Sequence, residues 1–420
     1  MAQLKDDCFA FGDGLIPFDD AMRDLSARLE TVVGTEVVPV KEAGGRVLAA
    51  DLISARNVPP HDNSAVDGYA VFHEDLNPDA ETRLPVTGRV AAGHPLGRPA
   101  KRGEAVRIYT GAPMPDGMDT VFMEEDTSRD GDDVILPPGL KHGSNRRFSG
   151  EDVKQGDIIV PGGLRLRPQD VGLAASIGHA TVEVFKPLRV AIFSTGDEVC
   201  DPGREAPKGA IYDANRYTVA SLLQGLGAQI TDLGILPDNE AAITEALDQA
   251  ARGGHDVLLT SGGVSAGEED HVKAAVAALG QIHFWRLAIK PGRPIALGQV
   301  GKAAFVGLPG NPVAAMVTFL MIAQPMLRRL AGETGYAPKR FQVQAGFSYK
   351  KKQGRREWAR VCLTTADDGS QVAEKHHSSG AGILTSLAGA DGLVEVGEAV
   401  ERIQPGDMVT YLPFNGLLPG

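Results

Sequence analysis

The stretch DVLLTSGGVSAGEEDHVKAAVAAL, Asp256 to Leu279, decides the fold. The run DVLLTSGG (256–263) is short, apolar and ends in turn residues, the pattern of a buried strand. It runs into the glycine loop Ser261–Asp270. Val272, Ala275, Val276 and Leu279 then recur at helical spacing on one stripe. Strand, glycine loop and helix make one βα unit. The same alternation runs from Leu188 to about Leu330: LRVAIFSTGDE is a buried strand with a glycine loop, NRYTVASLLQGLGA a helix, QITDLGIL a strand and DNEAAITEALDQAARG a helix ended by glycine. IHFWRLAI, PIALGQV and KAAFVGLPG read as strands, and NPVAAMVTFLMIAQPMLRRL as a long apolar helix. Such alternation predicts a mostly parallel sheet covered on both faces. Ligands bind such sheets beyond the carboxyl ends of the strands. Glycine loops stand at three such ends: Ser194–Glu198, Ser261–Asp270 and Gly307–Asn311.

The flanking regions read differently. FDDAMRDLSARLE (18–30) suits a helix capped by Asp19 or Asp20. Short apolar runs separated by turn residues from about Asn77 to Pro138 predict an all-β module, a small barrel or sandwich. A helix starts near Pro168, where proline suits the first turn. Strands resume after Ala337 as a second small β module.

At 420 residues the chain is long enough for several domains. The 51 glycines and 27 prolines, against 5% aromatics, favour many turns and aliphatic cores. A net charge of −12 argues against a nucleic-acid-binding surface but leaves room for a local basic pocket. Cys8, Cys200 and Cys362 are too far apart for a disulfide framework or a zinc site, which suits a reducing compartment. The N-terminus lacks a signal-peptide pattern, and no uninterrupted apolar run reaches membrane-spanning length. The expectation is a cytoplasmic protein with no membrane partner.

Each motif carries a plain reading beside a chemical one. In FSTGDE, Ser194, Thr195 and Gly196 can turn N–H groups and hydroxyls toward an anion, while Asp197 and Glu198 could hold a hard cation; the alternative is a strand-to-loop turn. Ser261, Gly262, Gly263 and Ser265 repeat that logic, and Asp270 could equally cap the helix from His271. In GLPGNP, Asn311 suits a cap and Pro312 the first helical position, so a tight turn is favoured over chemistry. Lys290 and Arg293 flank a Pro-Gly turn after a strand, a setting for an oxyanion, although such pairs are often plain surface. KKKQGRRE (350–357) reads as a solvated face or as one wall of an anion cleft. In KHHSSGAG (375–382), adjacent histidines on a strand would point to opposite faces, so the Ser378 and Ser379 hydroxyls are preferred as an anion cradle. No P-loop or dinucleotide fingerprint is present.

Together, DNSAVDGYA, IYTGAPMP, GEDV, FSTGDEV, IYDANR, LGILPDN, TSGGVSAGEEDHVK, KPGRP and GLPGNPV, in this order, resemble the molybdopterin molybdenumtransferases, MoeA-type enzymes related to the E domain of gephyrin. The resemblance covers about residues 15–415. It implies a multidomain α/β plus β fold: a segmented linker domain (1–60 and 148–187), an inserted β module (61–147), a central α/β molybdopterin-binding-like domain (188–335) and a C-terminal β-barrel (336–420). It implies an L-shaped homodimer that inserts molybdate into adenylylated molybdopterin with release of AMP, assisted by Mg²⁺. Carried over by motif position, the catalytic candidates are Asp67, Thr110, Asp152, Glu198, Asp270 and Lys290. Arg147, Asp238, Arg293, Arg355 (or Arg356), Ser378 and Ser379 join Ser194, Thr195, Gly196, Ser261, Gly262, Gly263 and Ser265 as substrate-binding candidates. Glu198, Asp238 and Asp270 are the metal candidates. Asp67 and Thr110 stand in a different domain from Glu198 and Lys290, which implies a cleft completed across subunits. Transient contacts with molybdopterin adenylyltransferase and molybdoenzymes are further implied. The chain departs from the family at Arg286 and Arg293, where some members carry Lys, at His271, where Tyr often stands, and at Val66. An adenylyltransferase would need only the α/β domain, and a gephyrin-like scaffold would act through peptide binding. Both rank below the metal-inserting enzyme.

Overall fold

The structure is a computed structural model that describes residues 15–263, 271–292 and 294–419. Ser265, Asp270 and Arg293 lie outside the described residues.

The central domain carries a six-stranded sheet in the order Gln229–Leu236, Arg189–Thr195, Val257–Ser261, Ala303–Leu308, Pro294–Val300, Gly280–Arg286. The first four strands run parallel, and the last two pair antiparallel. Along Arg189–Thr195, Val190 and Ile192 enter one apolar core while Ala191 and Phe193 enter the other. A strand buried on both faces must be apolar throughout, which is why its sequence does not alternate. Helix Ala214–Gly225 covers one face through Val219, Leu222 and Leu223. Helices Glu240–Arg252 and His271–Leu279 cover the other through Ile243, Leu247, Val272 and Val276. The Asp213 side chain accepts the Arg216 backbone N–H and caps the first helix; Asn239 does the same for the second by accepting from Ala242.

The long apolar helix spans Pro312–Leu330, with a π-helical segment at Phe319–Ala323. Pro325 follows that segment and lacks the N–H that would reach back one turn, so the widened ladder has a local cause. Length and composition would let this helix cross a membrane, but its apolar window is 78% buried within the fold, as in a core helix.

The N-terminal helix spans Phe18–Arg28, two residues shorter than expected. Neither aspartate caps it. Arg356 donates to both Asp19 oxygens at 2.8 and 2.7 Å, and Asp20 accepts from Arg23. Phe18, Ala21 and Leu25 join the α/β core, and Phe18 meets Trp358 edge-on at 5.2 Å. This helix thus packs on the central and C-terminal domains, although residues 35–60 belong elsewhere. There, Thr35–Pro39 pairs with Thr181–Phe185 and Leu52–Ile53 with Ile158–Val160, joining chain segments on either side of the inserted module around one core.

The inserted module is one six-stranded sheet: Thr120–Met123, Gly68–Val71, Ala105–Ile108, Thr82–Val90, Asp133–Leu136, Ser128–Asp130. Apolar clusters cover both faces, and no pairing among the described residues closes it. In the C-terminal module, Arg356–Thr365, Gln371–Lys375, Phe341–Ala345, Met408–Pro413 and Gly392–Val396 pair in succession, and Gly392–Val396 pairs back to Arg356–Thr365, closing a barrel. The short strand Ile289–Lys290 of the central domain adds in parallel to that barrel, with Ile289 opposite Arg356 and Lys290 opposite Glu357.

Candidate active site

Three adjacent parallel strands end together. Ser194 pairs with Ser261, and Ser261 with Leu308, so three glycine loops leave the sheet side by side. The loops touch. A Cβ on Gly310 would stand 3.6 Å from the Gly262 Cα, and one on Gly263 would stand 2.5 Å from the Thr195 Oγ1. Gly263 also has φ +63°, so both its conformation and its surroundings favour glycine. At Gly196 a Cβ would meet the Glu198 carboxylate at 2.8 Å. The missing side chain there lets Glu198 fold back over the loop.

Two cavities open on these loops. The smaller, about 250 Å³, is lined by Ser194, Thr195, Gly196, Glu198, Asp238, Ser261, Gly262, Gly263 and Gly310, among others. The Ser194 and Ser261 hydroxyls are buried with no hydrogen-bond partner. An unpaired buried hydroxyl is unfavourable unless a ligand or water meets it. Glu198 and Asp238 bring two hard oxygen donors to the same cavity. No cluster of three metal-binding side chains exists among the described residues. One or two carboxylates suffice for Mg²⁺ when substrate phosphates and waters complete its shell, so the donor set fits that ion.

The larger cavity, about 550 Å³, shares Glu198, Gly262, Gly263 and Gly310 with the smaller, so the two are contiguous. Its far wall is the C-terminal barrel: Tyr349, Trp358, Arg360, Lys375, His376, Ser378 and Ser379. Lys290 stands on the near wall, half exposed, with its Nζ 3.3 Å from the Glu357 Oε2. Arg360 is buried. It donates to the Ser378 and Gly380 carbonyls at 2.9 and 3.3 Å and to the Ser386 hydroxyl at 3.0 Å, which fixes the serine loop. Burial pulls its guanidinium below the usual range, as expected for a cation among neutral partners. The Ser378 N–H donates to the His376 Nδ1 at 3.1 Å. His376 and His377 do not point apart: they follow the strand's end at Lys375, and their rings stack at 4.3 Å.

The remaining sequence-derived residues lie elsewhere in the chain. The Asp67 Oδ1 accepts both the Thr110 N–H and its hydroxyl, each at 2.7 Å. These bonds hold the Asp67 carboxyl below the ordinary carboxylate range. Arg147 is exposed on the Arg146–Arg147 strand beside Asn63–Ser64, and Asp152 is exposed after it. Asp67, Thr110, Arg147 and Asp152 line neither cavity. Arg355 instead forms an ion pair with Glu357 at 3.4 Å, and Arg356 with Asp19 and Glu398, so both are spent within the protein. Asn311 lines the larger cavity and makes no side-chain cap bond; Pro312 holds the first helical position. Sequence reasoning missed Tyr349, Trp358, Arg360 and Lys375 as cavity walls. The alternation Trp358–Arg360 along a strand signals that they share a face, but not what that face meets.

Three family profiles match this chain: "MoeA N-terminal region (domain I and II)" at residues 16–178, "Probable molybdopterin binding domain" at 191–329 and "MoeA C-terminal region (domain IV)" at 342–414. The chain is 39% identical over 406 residues to a protein of Haemophilus influenzae named molybdopterin molybdenumtransferase, covering 96% of this chain and all of that one. It is 33% identical to a protein of the same name from Nostoc sp., covering 93% of this chain and 92% of the other. Among solved structures, the molybdopterin biosynthesis moeA protein of Pyrococcus horikoshii OT3 superposes with a TM-score of 0.82 at 29% identity, over 95% of this chain and 100% of that one.

Proposed function

The chain belongs to the molybdopterin molybdenumtransferases, and on that premise we propose how its residues carry out the reaction. It is a transferase of molybdenum cofactor biosynthesis that inserts molybdenum into molybdopterin. The substrate form we propose is adenylylated molybdopterin: its dithiolene sulfurs replace oxygens of molybdate, which leave as water, and water cleaves the phosphoanhydride to release AMP. The observation that carries this reading is the pair of contiguous cavities. One presents unpaired buried hydroxyls and two carboxylates; the other presents Lys290, Lys375 and Arg360.

The chemistry needs that division. A phosphoanhydride and molybdate are both anionic, so binding them together requires cations and N–H donors set in place beforehand. The Ser194 and Ser261 hydroxyls and the glycine-loop N–H groups would hold phosphate oxygens. Lys290 and the Ser378–Ser379 loop would hold the second anion across the cavity. Glu198 and Asp238 would hold Mg²⁺, with Asp270 as a further ligand candidate. That ion, when bound, offsets negative charge on the phosphoanhydride. Lys290 then steadies the charge that develops as AMP leaves.

Asp67 and Thr110 would complete the site from the second subunit of a homodimer, because in one chain they line neither cavity. The widely spaced cysteines suit a cytoplasmic location, where molybdopterin adenylyltransferase would hand over substrate and molybdoenzymes would accept product. The test is incubation with adenylylated molybdopterin, molybdate and Mg²⁺, with AMP scored. We expect stoichiometric AMP release, lost on chelation of the metal and in Asp67→Asn. Wild-type release from Asp67→Asn would remove that residue from the site, and no release by the wild type would sink the reading.

A further inference from the structure

Glu357 is a carboxylate at 1% side-chain exposure, set in the seam between the central domain and the barrel. Its Oε2 takes the Tyr349 hydroxyl at 2.7 Å and faces the Lys290 Nζ at 3.3 Å, while its Oε1 is buried with no hydrogen-bond partner and has Arg355 at 3.4 Å. A buried carboxylate is unfavourable without such partners. The contact to Lys290 is built into the backbone, because Lys290 and Glu357 are register partners in the parallel pairing that joins the two domains. Tyr349 and Lys290 both line the larger cavity. Burial and the bond to Glu357 push the Tyr349 phenol well above its ordinary range, so it stays a donor to the carboxylate.

We propose that Glu357 is the positioning residue of Lys290: its carboxylate, held by the Tyr349 hydroxyl, aims the ammonium into the larger cavity toward the bound anion. A free lysine side chain is flexible and strongly hydrated, so a fixed partner on one side confines it. With an N···O distance of 3.3 Å and half of the side chain exposed, the ammonium keeps donors for a second, anionic partner. Tyr349 acts one step further back by fixing the carboxylate. This inference rests on the reading of Lys290 as an anion-binding group.

The test is a double-mutant cycle on anion binding, using the full-length protein with molybdate and, separately, AMP as probes. Glu357→Gln keeps the volume and the Tyr349 bond but removes the charge. It should weaken binding about tenfold. In a Lys290→Ala background the same substitution should have no further effect, because the group it positions is gone. Tyr349→Phe should weaken binding in the same direction by a smaller factor, again only when Lys290 is present; it serves as the second variant should Glu357→Gln fail to fold. If Glu357 merely clamps the barrel to the central domain, its effect will be equal with and without Lys290, and the proposal is overturned. If the wild type binds neither anion, both this inference and the functional reading fail. Coupling without AMP release in turnover would sink the functional reading alone.

Discussion

Lys290 and Arg360 reach the same cavity from opposite walls, one with its side chain 51% exposed and the other 5% exposed as a residue. They should therefore fail differently. Lys290→Ala removes a half-exposed cation, so AMP release should fall about 100-fold or more, while stability falls less than in Arg360→Ala because Tyr349 and Arg355 still face the Glu357 carboxylate. Arg360→Ala unpins the Ser378 and Gly380 carbonyls and should lower both release and stability, the latter by about 2–3 kcal/mol. Parallel activity and unfolding measurements separate the two. A third residue bears on pH. Glu104 accepts from Arg98, the Thr87 hydroxyl and the Lys101 N–H, and Arg98 leads in lowering its carboxyl from 4.5 to about 2. A lowered folded-state value means stability that is fully present above the ordinary carboxylate range and is lost as pH falls toward 2. Glu104→Gln should flatten the acid limb of the stability profile between about pH 4.5 and 2, as measured by denaturant unfolding across that range.

Among the elements, the glycine loops matter because three strand ends converge. Gly263→Ala would push a methyl into the Thr195 Oγ1 and Val272 Cγ2 and would demand φ +63° of a residue with a Cβ. We expect a loss of about 1–3 kcal/mol and weakened anion binding, read by thermal unfolding and by AMP titration. The motif IYDANR plays its part at this scale. Arg216 is buried and pairs with Asp201, Asp213 and Asp232, tying the loop after Glu198 to the helix and to a neighbouring strand. Arg216 serves the shape of the smaller cavity without lining it, whereas its partner Asp213 is part of the lining. Much of this level was legible in sequence, because strand, glycine loop and helix follow from near neighbours along the chain. The larger cavity's far wall was not legible, because Arg356 of KKKQGRRE turns inward to Asp19 and Glu398, a choice made by distant partners, and Arg355 turns to Glu357 within the run.

In the whole molecule, the position of Asp67 depends on how the linker domain sits on the central domain. Arg165 and Arg328 both pair with Glu333, whose side chain is 8% exposed, and Arg165 also donates to the Gly45 and Leu226 carbonyls. Burial pulls the Arg165 guanidinium down despite Glu333, so the cluster relies on that single carboxylate. Glu333→Ala should destabilise the protein by about 3–5 kcal/mol, read by denaturant unfolding. If the site forms across subunits, Asp67→Asn and Lys290→Ala protomers should complement one another. After mixing under exchange conditions, each mixed dimer carries one intact site. Activity should return to about a quarter of wild type for statistical exchange, since half of the dimers are mixed and each has one of two sites. No recovery, with exchange verified, would place the whole site within one chain.

The sequence by itself determined the βα alternation, the buried strands and the glycine loops at their carboxyl ends. Each depends on residues within one or two turns of each other, where periodicity and backbone freedom act locally. Only the tertiary structure decided that Lys290 meets Glu357, that Arg360 and not Arg355 lines the cavity, and that Phe18 packs beside Trp358. Those contacts join residues far apart in the chain. Their partners are selected by which faces can be buried together and which buried charges can be paired, and no local pattern records that choice.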